Sequence, residues 1–189
     1  MREKLIKQLE KYKPFNEQEA RDREVILKML RDEKDIFYRT NLCAHMTASA
    51  WVVNREGTKT IMVHHNIYNS WSWMGGHADG NENLLEVAVR EVKEECSVKS
   101  VRPVSEDVFS VEVLPVSGHM KNGKYVPSHL HLNITYLIEA DEAEKLSVKE
   151  DENSNVGWFT FSDAVTASSE EWFKERIYAK LIEKLNNSN

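Results

Sequence analysis

The chain has 189 residues, of which 41% are apolar and 30% are charged, a composition typical of one globular domain with room for a small appendage. Its net charge of −6 argues against a general nucleic-acid-binding protein, because such a protein usually carries a basic face. No apolar stretch reaches the length of about eighteen residues that a membrane span needs, so we expect no membrane partner.

The N-terminal part of the chain predicts two helices. Residues 2–12 form an amphipathic pattern that Pro14 ends, and Asn16 with Glu19 forms a capping box for a second helix that runs to about residue 33. We expect residues 1–40 to be a helical extension. Packing on the core is favoured over closure of a site or a dimer contact.

The N-terminus and the cysteines bear on location. The segment that begins at Met1 is charged and lacks the apolar core of a signal peptide. Cys43 and Cys96 do not make a disulfide framework, and Cys96 falls on an apolar helix stripe, where core packing is favoured over a reactive role. These features predict a cytoplasmic protein.

The remaining chain, residues 41–187, predicts a mixed fold. Segments rich in β-compatible residues alternate with a strongly patterned central helix, and a last helix follows residues 168–169. The predicted strands are residues 44–54, 59–65, 71–74, 110–116, 129–140 and 157–161. Strands interrupted by one helix and ended by another indicate an α/β fold, a mixed sheet packed between helices.

The central helix carries two different faces. An apolar stripe is predicted for it, made of Leu85, Ala88, Val89, Val92 and Cys96. Glu91, Glu94 and Glu95 share another face, one turn apart, where like charges destabilise a helix. We therefore expect a cation to compensate the charge of these carboxylates. Arg90 is one candidate, and a divalent metal such as Mg²⁺ is the better one, since hard cations take oxygen ligands.

A glycine-rich loop, residues 75–82, precedes this helix. Paired glycines let the backbone adopt unusual conformations and approach a ligand closely, so a carbonyl oxygen here could add a metal ligand. Glu82 lies two helical turns before Arg90, and the two side chains could pair and hold the loop against the helix.

The run from Gly76 to Val98 resembles the Nudix box: glycine, five residues, glutamate, seven residues, then Arg-Glu-aliphatic-any-Glu-Glu-any-Gly-aliphatic. The box positions that match are Gly76, Glu82, Arg90, Glu91, Val92, Glu94, Glu95 and Val98. Ser97 stands where the family has glycine, at the helix end, where a left-handed backbone favours glycine. The resemblance implies an α/β/α sandwich around a mixed β-sheet.

The same resemblance implies an activity, the metal-dependent hydrolysis of a diphosphate that joins a nucleoside to another group, with Mg²⁺ or Mn²⁺ as cofactor. By motif position, the Gly75 carbonyl, Glu91 and Glu95 resemble the main metal ligands, and Glu94 would assist catalysis by helping to hold further ions. Arg90 and Glu82 resemble orienting residues.

The catalytic base is less clearly marked. In this family a glutamate in the loop before a strand-opening tryptophan often assists the metals or acts as base. Glu152, six residues before Trp158, matches best, with Glu150 and Asp151 as competitors. A solvated acidic loop explains the same residues equally well.

Substrate contacts are expected from aromatic and imidazole side chains. Trp71 and Trp73 could stack on a base, although core packing is the commoner role for such residues. His77 could hydrogen-bond a phosphate. His129 and His131 alternate along a strand and so share a face, which lines the substrate cleft or is polar surface. No cysteine or histidine spacing matches a structural zinc site.

Two rival functions are kept open. Isopentenyl diphosphate isomerases share the fold and use a cysteine, for which Cys43 is the candidate. A nucleotide sensor would bind without cleaving, but such proteins usually lose motif glutamates. The expected partner is a small nucleotide-diphosphate substrate. Homodimers are common in the family, and the sequence leaves the oligomeric state and the particular nucleotide open.

Overall fold

The computed structural model describes residues 1–67, 69–121, 123–148 and 153–188. The helices are α1 Arg2–Lys11, α2 Glu17–Asp32, α3 Leu84–Cys96, α4 Phe161–Ala167, α5 Glu171–Phe173 and α6 Ala179–Ser188, with a π-helical turn, Lys174–Tyr178, between the last two. The strands are β1 Ala44–Val53, β2 Lys59–His65, β3 Ser70–Ser72, β4 Met74–His77, β5 Val101–Pro103, β6 Ser110–Val116, β7 His119–Lys121, β8 Lys124–Val126, β9 His129–Ala140 and β10 Asn153–Thr160. No helix among these described residues is both long and apolar enough to cross a membrane.

One eight-stranded sheet contains most of the strands. Its order is β10-β2-β1-β9-β5, with β3 beside β2, β4 beside β1 and β6 beside β9, while β7 and β8 form a separate hairpin. Strand β2 is antiparallel to β1 and to β10. Leu130 N donates to Cys43 O (2.9 Å), and further along both strands Asn133 accepts from Thr47, so β1 and β9 run in the same direction. The sheet is mixed, as the α/β prediction required.

The chain divides into two compact units. The first unit contains residues 1–49, 76–87 and 107–136, and the second contains residues 50–75, 88–106 and 137–188. In the first unit, α1 and α2 bury Leu9, Ile26 and Leu30 completely. In the second unit, Trp51 is fully buried and stacks on Tyr178 with ring centroids 5.8 Å apart.

The start of α2 has one of the two hydrogen bonds of the predicted capping box. The Asn16 side chain accepts a hydrogen bond from Glu19 N (2.9 Å), as a cap should. The Glu19 carboxylate is fully buried and accepts from Tyr12 OH (2.7 Å) and Phe15 N (2.8 Å). Burial, and then the neighbouring Glu19, raise the pKa of Tyr12 far above its ordinary value. Glu19, in the first turn of α2, therefore joins the helix to the chain before it.

A buried polar network joins β1, β6 and β9 within the first unit. Asn133 Oδ1 accepts from Thr47 Oγ1 (3.0 Å) and Ser49 Oγ (2.9 Å). Asn133 Nδ2 donates to Glu112 Oε2 (2.9 Å), to which Thr135 Oγ1 also donates (2.8 Å). Each of these side chains is at most 5% exposed. Since residues two apart share one face of a strand, the network occupies a single polar face.

Several sequence predictions need correction. The paired glycines predicted in a tight loop lie in strand β4, and the positive backbone angles fall later, at Asp79 (φ +47°) and Gly80 (φ +89°). The segment between the predicted strands 110–116 and 129–140, for which no strand was predicted, contains the β7–β8 hairpin. Short segments of this kind carry too few alternating residues to reveal a strand, and their pairing depends on neighbours distant in sequence.

The buried stripe of α3 contains three of the five predicted residues, Ala88, Val92 and Cys96, and differs at the other two. Leu84 is 2% exposed and Val87 is fully buried, whereas Leu85 and Val89 are half-buried. Both sets satisfy helical spacing, and the choice between them is made by how the helix packs, which periodicity alone does not contain.

Ser97 confirms the predicted helix-end conformation and supplies a first test. Its φ is +58°, and its N–H donates to Lys93 O (3.1 Å) at the end of α3. A left-handed residue with a Cβ costs about 1–2 kcal/mol, and the extra flexibility of glycine in the unfolded chain offsets about 0.5–1 kcal/mol. We expect Ser97→Gly to stabilise the protein by up to about 1 kcal/mol, raising Tm by about 2–4 °C in thermal unfolding.

Ser97→Ala is the matched control for that variant. It removes the hydroxyl but keeps the Cβ, so Tm should stay level or fall. A lower Tm for Ser97→Gly than for Ser97→Ala would contradict the account of strain at the helix end.

Candidate active site

The three glutamates of α3 lie in different environments. Glu95 is 5% exposed, the Glu91 side chain is 13% exposed and the Glu94 side chain is 47% exposed. Burying a carboxylate is costly unless hydrogen bonds or cations compensate it. The two buried members, Glu91 and Glu95, are thus the ones for which a cation would matter most.

Glu95 is held from two directions within the second unit. Its Oε1 accepts from Gly75 N (3.0 Å), and its Oε2 accepts from Asn153 Nδ2 (2.9 Å). Asn153 opens β10 and is fully buried, and its Oδ1 has no hydrogen-bond partner within the described structure. A buried amide oxygen therefore lies beside a buried carboxylate, next to the residue whose carbonyl was predicted as a ligand.

Arg90 neutralises part of this acidic face. Its Nη2 lies 2.8 Å from Glu91 Oε1, and its Nε lies 3.8 Å from Glu94 Oε1. The guanidinium thus links two carboxylates one turn apart, and an orienting role for Arg90 stays a prediction.

Glu82, the first glutamate of the motif, has its described partners at the N-terminus. Its carboxylate accepts from Arg2 N (2.9 Å) and lies 3.3 Å from the amino group of Met1. The hydrogen bond from Arg2 N is the main cause that lowers the pKa of Glu82. The predicted pairing of Glu82 with Arg90 stays a prediction.

The two tryptophans before the motif have different neighbours. Trp71, on β3, is half-buried against Phe159 (4.7 Å between ring centroids) and His64 (5.4 Å). Trp73 is 8% exposed and packs against Phe173 and Tyr178 at 6.4 and 6.0 Å. The packing of Trp73 supports the core alternative, and a substrate contact from Trp71 or Trp73 stays a prediction.

The structure brings three predicted histidines together in the first unit and adds a fourth. His45, His77, His129 and His131 place one ring nitrogen each within 4.8 Å of one another. Ring centroids are 5.0 Å apart for His45–His77 and 4.7 Å apart for His45–His129. The hydrogen bond from Ala78 N to Met46 O (3.1 Å) fixes β4 against β1 beside these rings.

Burial lowers the pKa of three of these imidazoles, His45, His77 and His131. Burial first, and neighbouring imidazoles second, lower the pKa of His131 to about 2 and that of His77 to about 3. Burial is also the main cause that lowers the pKa of His45. These three rings are therefore neutral at pH 7, and each has a nitrogen lone pair available to a ligand.

Two residues of the candidate sites could not be found from the sequence, and one predicted site residue lies outside the described part of the chain. Asn153 and His45 were not assigned to any site, because Asn153 follows an acidic run and His45 is a single imidazole on a strand. Only the strand pairing connects them to Glu95 and to the other histidines. Glu152, the predicted base, and its competitors Glu150 and Asp151 lie outside the described residues.

Comparison with known proteins identifies the class. A family model of the Nudix domain matches residues 44–181, so the chain belongs to the Nudix family. No protein of the curated set matches the chain significantly.

Solved structures share the fold at low sequence identity. An Ap4A hydrolase from C. elegans, in a binary complex, is 18% identical with a TM-score of 0.54 over 76% of this chain and 96% of its own. A Nudix-family hydrolase from Clostridium perfringens is 20% identical (TM-score 0.51, 77% and 98% covered). The E. coli dihydroneopterin triphosphate pyrophosphohydrolase is 13% identical (TM-score 0.52, 73% and 95% covered). At these identities the likeness establishes the architecture, not the substrate.

Proposed function

We propose that this protein is a divalent-metal-dependent Nudix hydrolase that cleaves the diphosphate linkage between a nucleoside and another group, by attack of water on phosphorus. The observation that carries the proposal is the buried Glu95 carboxylate, fixed by Gly75 N at 3.0 Å and Asn153 Nδ2 at 2.9 Å. An acidic group held this firmly on a turn that carries two further carboxylates suits a cation site.

The donor set fits Mg²⁺ or Mn²⁺. Glu91, Glu94, Glu95 and the Gly75 carbonyl offer only oxygen, which hard divalent cations prefer. A carboxylate has about four lone-pair positions, so two accepted hydrogen bonds on Glu95 are compatible with coordination. Asn153 Oδ1, a buried oxygen with no partner in the described structure, adds a further polar atom at the same place.

Each residue of the candidate site would have a separate role in binding the metal or the substrate. A divalent ion held here would neutralise phosphate oxygens and generate a nucleophile from bound water. Glu91 and Glu95 would hold it, and Glu94, the most exposed of the three at 47%, would help to hold further ions near substrate. Arg90 would keep Glu91 and Glu94 oriented through the contacts of 2.8 and 3.8 Å. Trp71 and Trp73, with His77, His129 and His131, are the proposed substrate contacts.

The rival functions are supported less well. The isomerase alternative needs a reactive cysteine, and its candidate, Cys43, is a free, exposed residue ahead of β1. The sensor alternative predicts a degraded motif, whereas every motif glutamate is present in this chain. Cys43 and Cys96 are both free, which supports the proposed cytoplasmic location.

A substrate panel tests the proposed function. It should include dinucleoside polyphosphates, nucleotide sugars, nucleoside and pterin triphosphates and capped RNA, each with Mg²⁺, Mn²⁺ or chelator. We expect metal-dependent turnover of at least one diphosphate and, in ¹⁸O-water, label in a phosphate product. Tight nucleotide binding without any product would favour the sensor. Isomerisation of isopentenyl diphosphate, added to the panel, that is lost in Cys43→Ser would favour the isomerase.

The proposed base, Glu152, has its own test. Glu152→Gln keeps the volume of the side chain but removes the proton acceptor, and a general base contributes about 10²–10⁴-fold. We expect kcat to fall by roughly that factor with little change in KM, and the acidic limb of the pH–rate profile to flatten. Glu150→Gln is the matched control on the same segment. Unchanged turnover in Glu152→Gln would remove it from the mechanism.

A further inference from the structure

The four-histidine cluster has a donor set unlike that of the acidic face of α3. It combines His45 on β1, His77 at the end of β4, and His129 and His131 on β9, all in the first unit. One nitrogen from each ring lies within 4.8 Å of the others. No sulfur or carboxylate belongs to this group within the described residues. Imidazole nitrogen is the ligand type that suits Zn²⁺, Cu²⁺ and Ni²⁺ and does not suit Mg²⁺.

Hydrogen bonds fix the tautomers of two rings. His129 Nδ1 lies 2.8 Å from Pro127 O, and His45 Nδ1 lies 3.1 Å from Asn41 O. A carbonyl oxygen only accepts, so in each ring Nδ1 carries the proton and Nε2 presents a lone pair. Backbone carbonyls that hold the outer nitrogen in this way are the usual support of metal-binding histidines.

The Nε2 atoms of three of the rings, His45, His129 and His131, are arranged as the ligand atoms of one metal ion would be. His45 is 4% exposed, and its Nε2 is buried without a hydrogen-bond partner in the described structure. His129 Nε2 lies 3.1 Å from His131 Nε2. Nitrogens bound to one tetrahedral Zn²⁺ at about 2.0–2.1 Å stand about 3.4 Å apart, so this pair already has nearly that separation.

The widest separation in the cluster is also within reach of a metal. Nitrogens on one tetrahedral zinc ion stand about 3.4 Å apart, whereas the nitrogens of the cluster lie within 4.8 Å of one another. Binding therefore requires the rings to move closer together by rotation about side-chain bonds, for which His77 and His131, both half-buried, are the candidates.

From this geometry we propose that the cluster is a second metal site, which binds one Zn²⁺ or a similar first-row transition ion through four imidazoles. The ion ties β1, β4 and β9 together. Because all four positions come from protein, the site is structural. An ion bound there occupies the ring nitrogens of His77, His129 and His131, so in this proposal the three histidines hold the metal and do not contact substrate. The proposal goes beyond the hydrolase function and does not depend on it.

Metal uptake by the apo protein tests the proposal without an activity assay. The protein is stripped with chelator, given one equivalent of Zn²⁺ or Co²⁺ in excess Mg²⁺, and desalted before the metal is counted. We expect one ion per chain, an intense visible Co²⁺ spectrum of a four-coordinate site, and a rise in Tm with Zn²⁺. Glu95→Gln should bind the same amount, which separates this site from the acidic face.

The variants are chosen around one matched control. His45→Ala and the double variant His129→Gln with His131→Gln should lose the bound ion and the Co²⁺ spectrum. His64→Gln should keep both, because His64 lies on β2 and contacts Ser154 and Trp71. Equal uptake by wild type and the cluster variants, or uptake lost only in Glu95→Gln, would overturn the proposal.

If a cluster variant does not fold, a measurement on the wild-type protein still tests the metal site. In ¹⁵N spectra of the histidine rings, Zn²⁺ should shift Nε2 of His45 and His129 while leaving His64 unchanged. The same spectra recorded with inorganic phosphate distinguish an anion site. Ring shifts with phosphate and none with Zn²⁺ would refute the metal site.

Discussion

Glu95→Gln is expected to lower kcat by at least about 10²–10³-fold while leaving the protein folded. The carboxylate is a proposed metal ligand, a bound metal supplies several kcal/mol of transition-state stabilisation, and each 1.36 kcal/mol is a factor of ten. The measurement is kcat against Mg²⁺ concentration on the best substrate of the panel. The apparent affinity for Mg²⁺ should fall together with kcat.

The same substitution has a smaller structural effect that must be separated from the chemical one. Glu95 accepts from both Gly75 N and Asn153 Nδ2, but a glutamine has only one oxygen, so one of these donors would face an NH₂ group. An unsatisfied buried donor costs about 1–3 kcal/mol, equivalent to a fall in Tm of several degrees. Activity should therefore be measured well below the Tm of the variant.

Glu86→Gln is the matched control on the same helix. Glu86 is exposed in the first turn of α3, and its carboxylate lies 3.5 Å from Asn81 Nδ2. We expect turnover within about twofold of wild type, since an exposed carboxylate away from the cluster contributes little. If Glu95→Gln were as active as Glu86→Gln, Glu95 would not be a metal ligand.

The acidic face of α3 could be predicted because its information is local. Glu91, Glu94 and Glu95 fall at helical spacing, and a spacing of three or four residues is enough to place side chains on one face. The end of the helix was equally local, since the left-handed conformation expected at Ser97 is present at φ +58°. Interactions between residues within about one helical turn can therefore be predicted from the sequence alone.

The residue that supports this acidic face, Asn153, could not be predicted, because its contact with Glu95 joins distant parts of the sequence. Asn153 donates to Glu95 from a residue 58 positions away, and only the pairing of β10 with β2 brings that strand into the second unit. The position of Asn153 in the sequence, after an acidic run, indicates a loop. Sheet order is a tertiary property, and one sequence gives the strands without their neighbours.

The histidines illustrate the same limit. Alternation along β9 predicted that His129 and His131 share a face, and the structure places their rings 5.0 Å apart. The contribution of His45 requires β1 to lie beside β9, and that of His77 requires β4 to lie beside β1. A search for short metal-ligand spacings therefore missed a cluster whose members come from three strands.

Asn133→Ala is the substitution expected to destabilise the fold most. It leaves the buried hydroxyls of Thr47 and Ser49 without their acceptor and removes a donor from Glu112. At about 1–3 kcal/mol for each orphaned group, the free energy of unfolding should fall by at least about 3 kcal/mol. Tm should fall by about 6–12 °C at 2–4 °C per kcal/mol. Thermal and urea unfolding measure both quantities.

Two further variants test whether the cost comes from lost hydrogen bonds or from lost volume. Ile134→Val removes one methyl group from the next residue, which is fully buried, and should cost only about 0.5–1.5 kcal/mol. Adding Thr47→Val and Ser49→Ala to Asn133→Ala should recover part of the loss, because removing both partners of a buried hydrogen bond is nearly neutral. No recovery would show that cavity formation dominates.

The polar network and the four-histidine cluster occupy one continuous face of two neighbouring strands. On β1 this face carries His45, Thr47 and Ser49, and on β9 it carries His131 and Asn133, because alternate residues point the same way. A one-residue slip of either strand would turn all of these side chains to the other face. The hydrogen bonds of Asn133 to Thr47 and Ser49 oppose that slip, since only the native register gives them partners. We therefore expect Asn133→Ala to bind Zn²⁺ with lower affinity but still at one ion per chain. Complete loss of Zn²⁺ binding in this variant would mean that the polar network alone sets the register of the two strands.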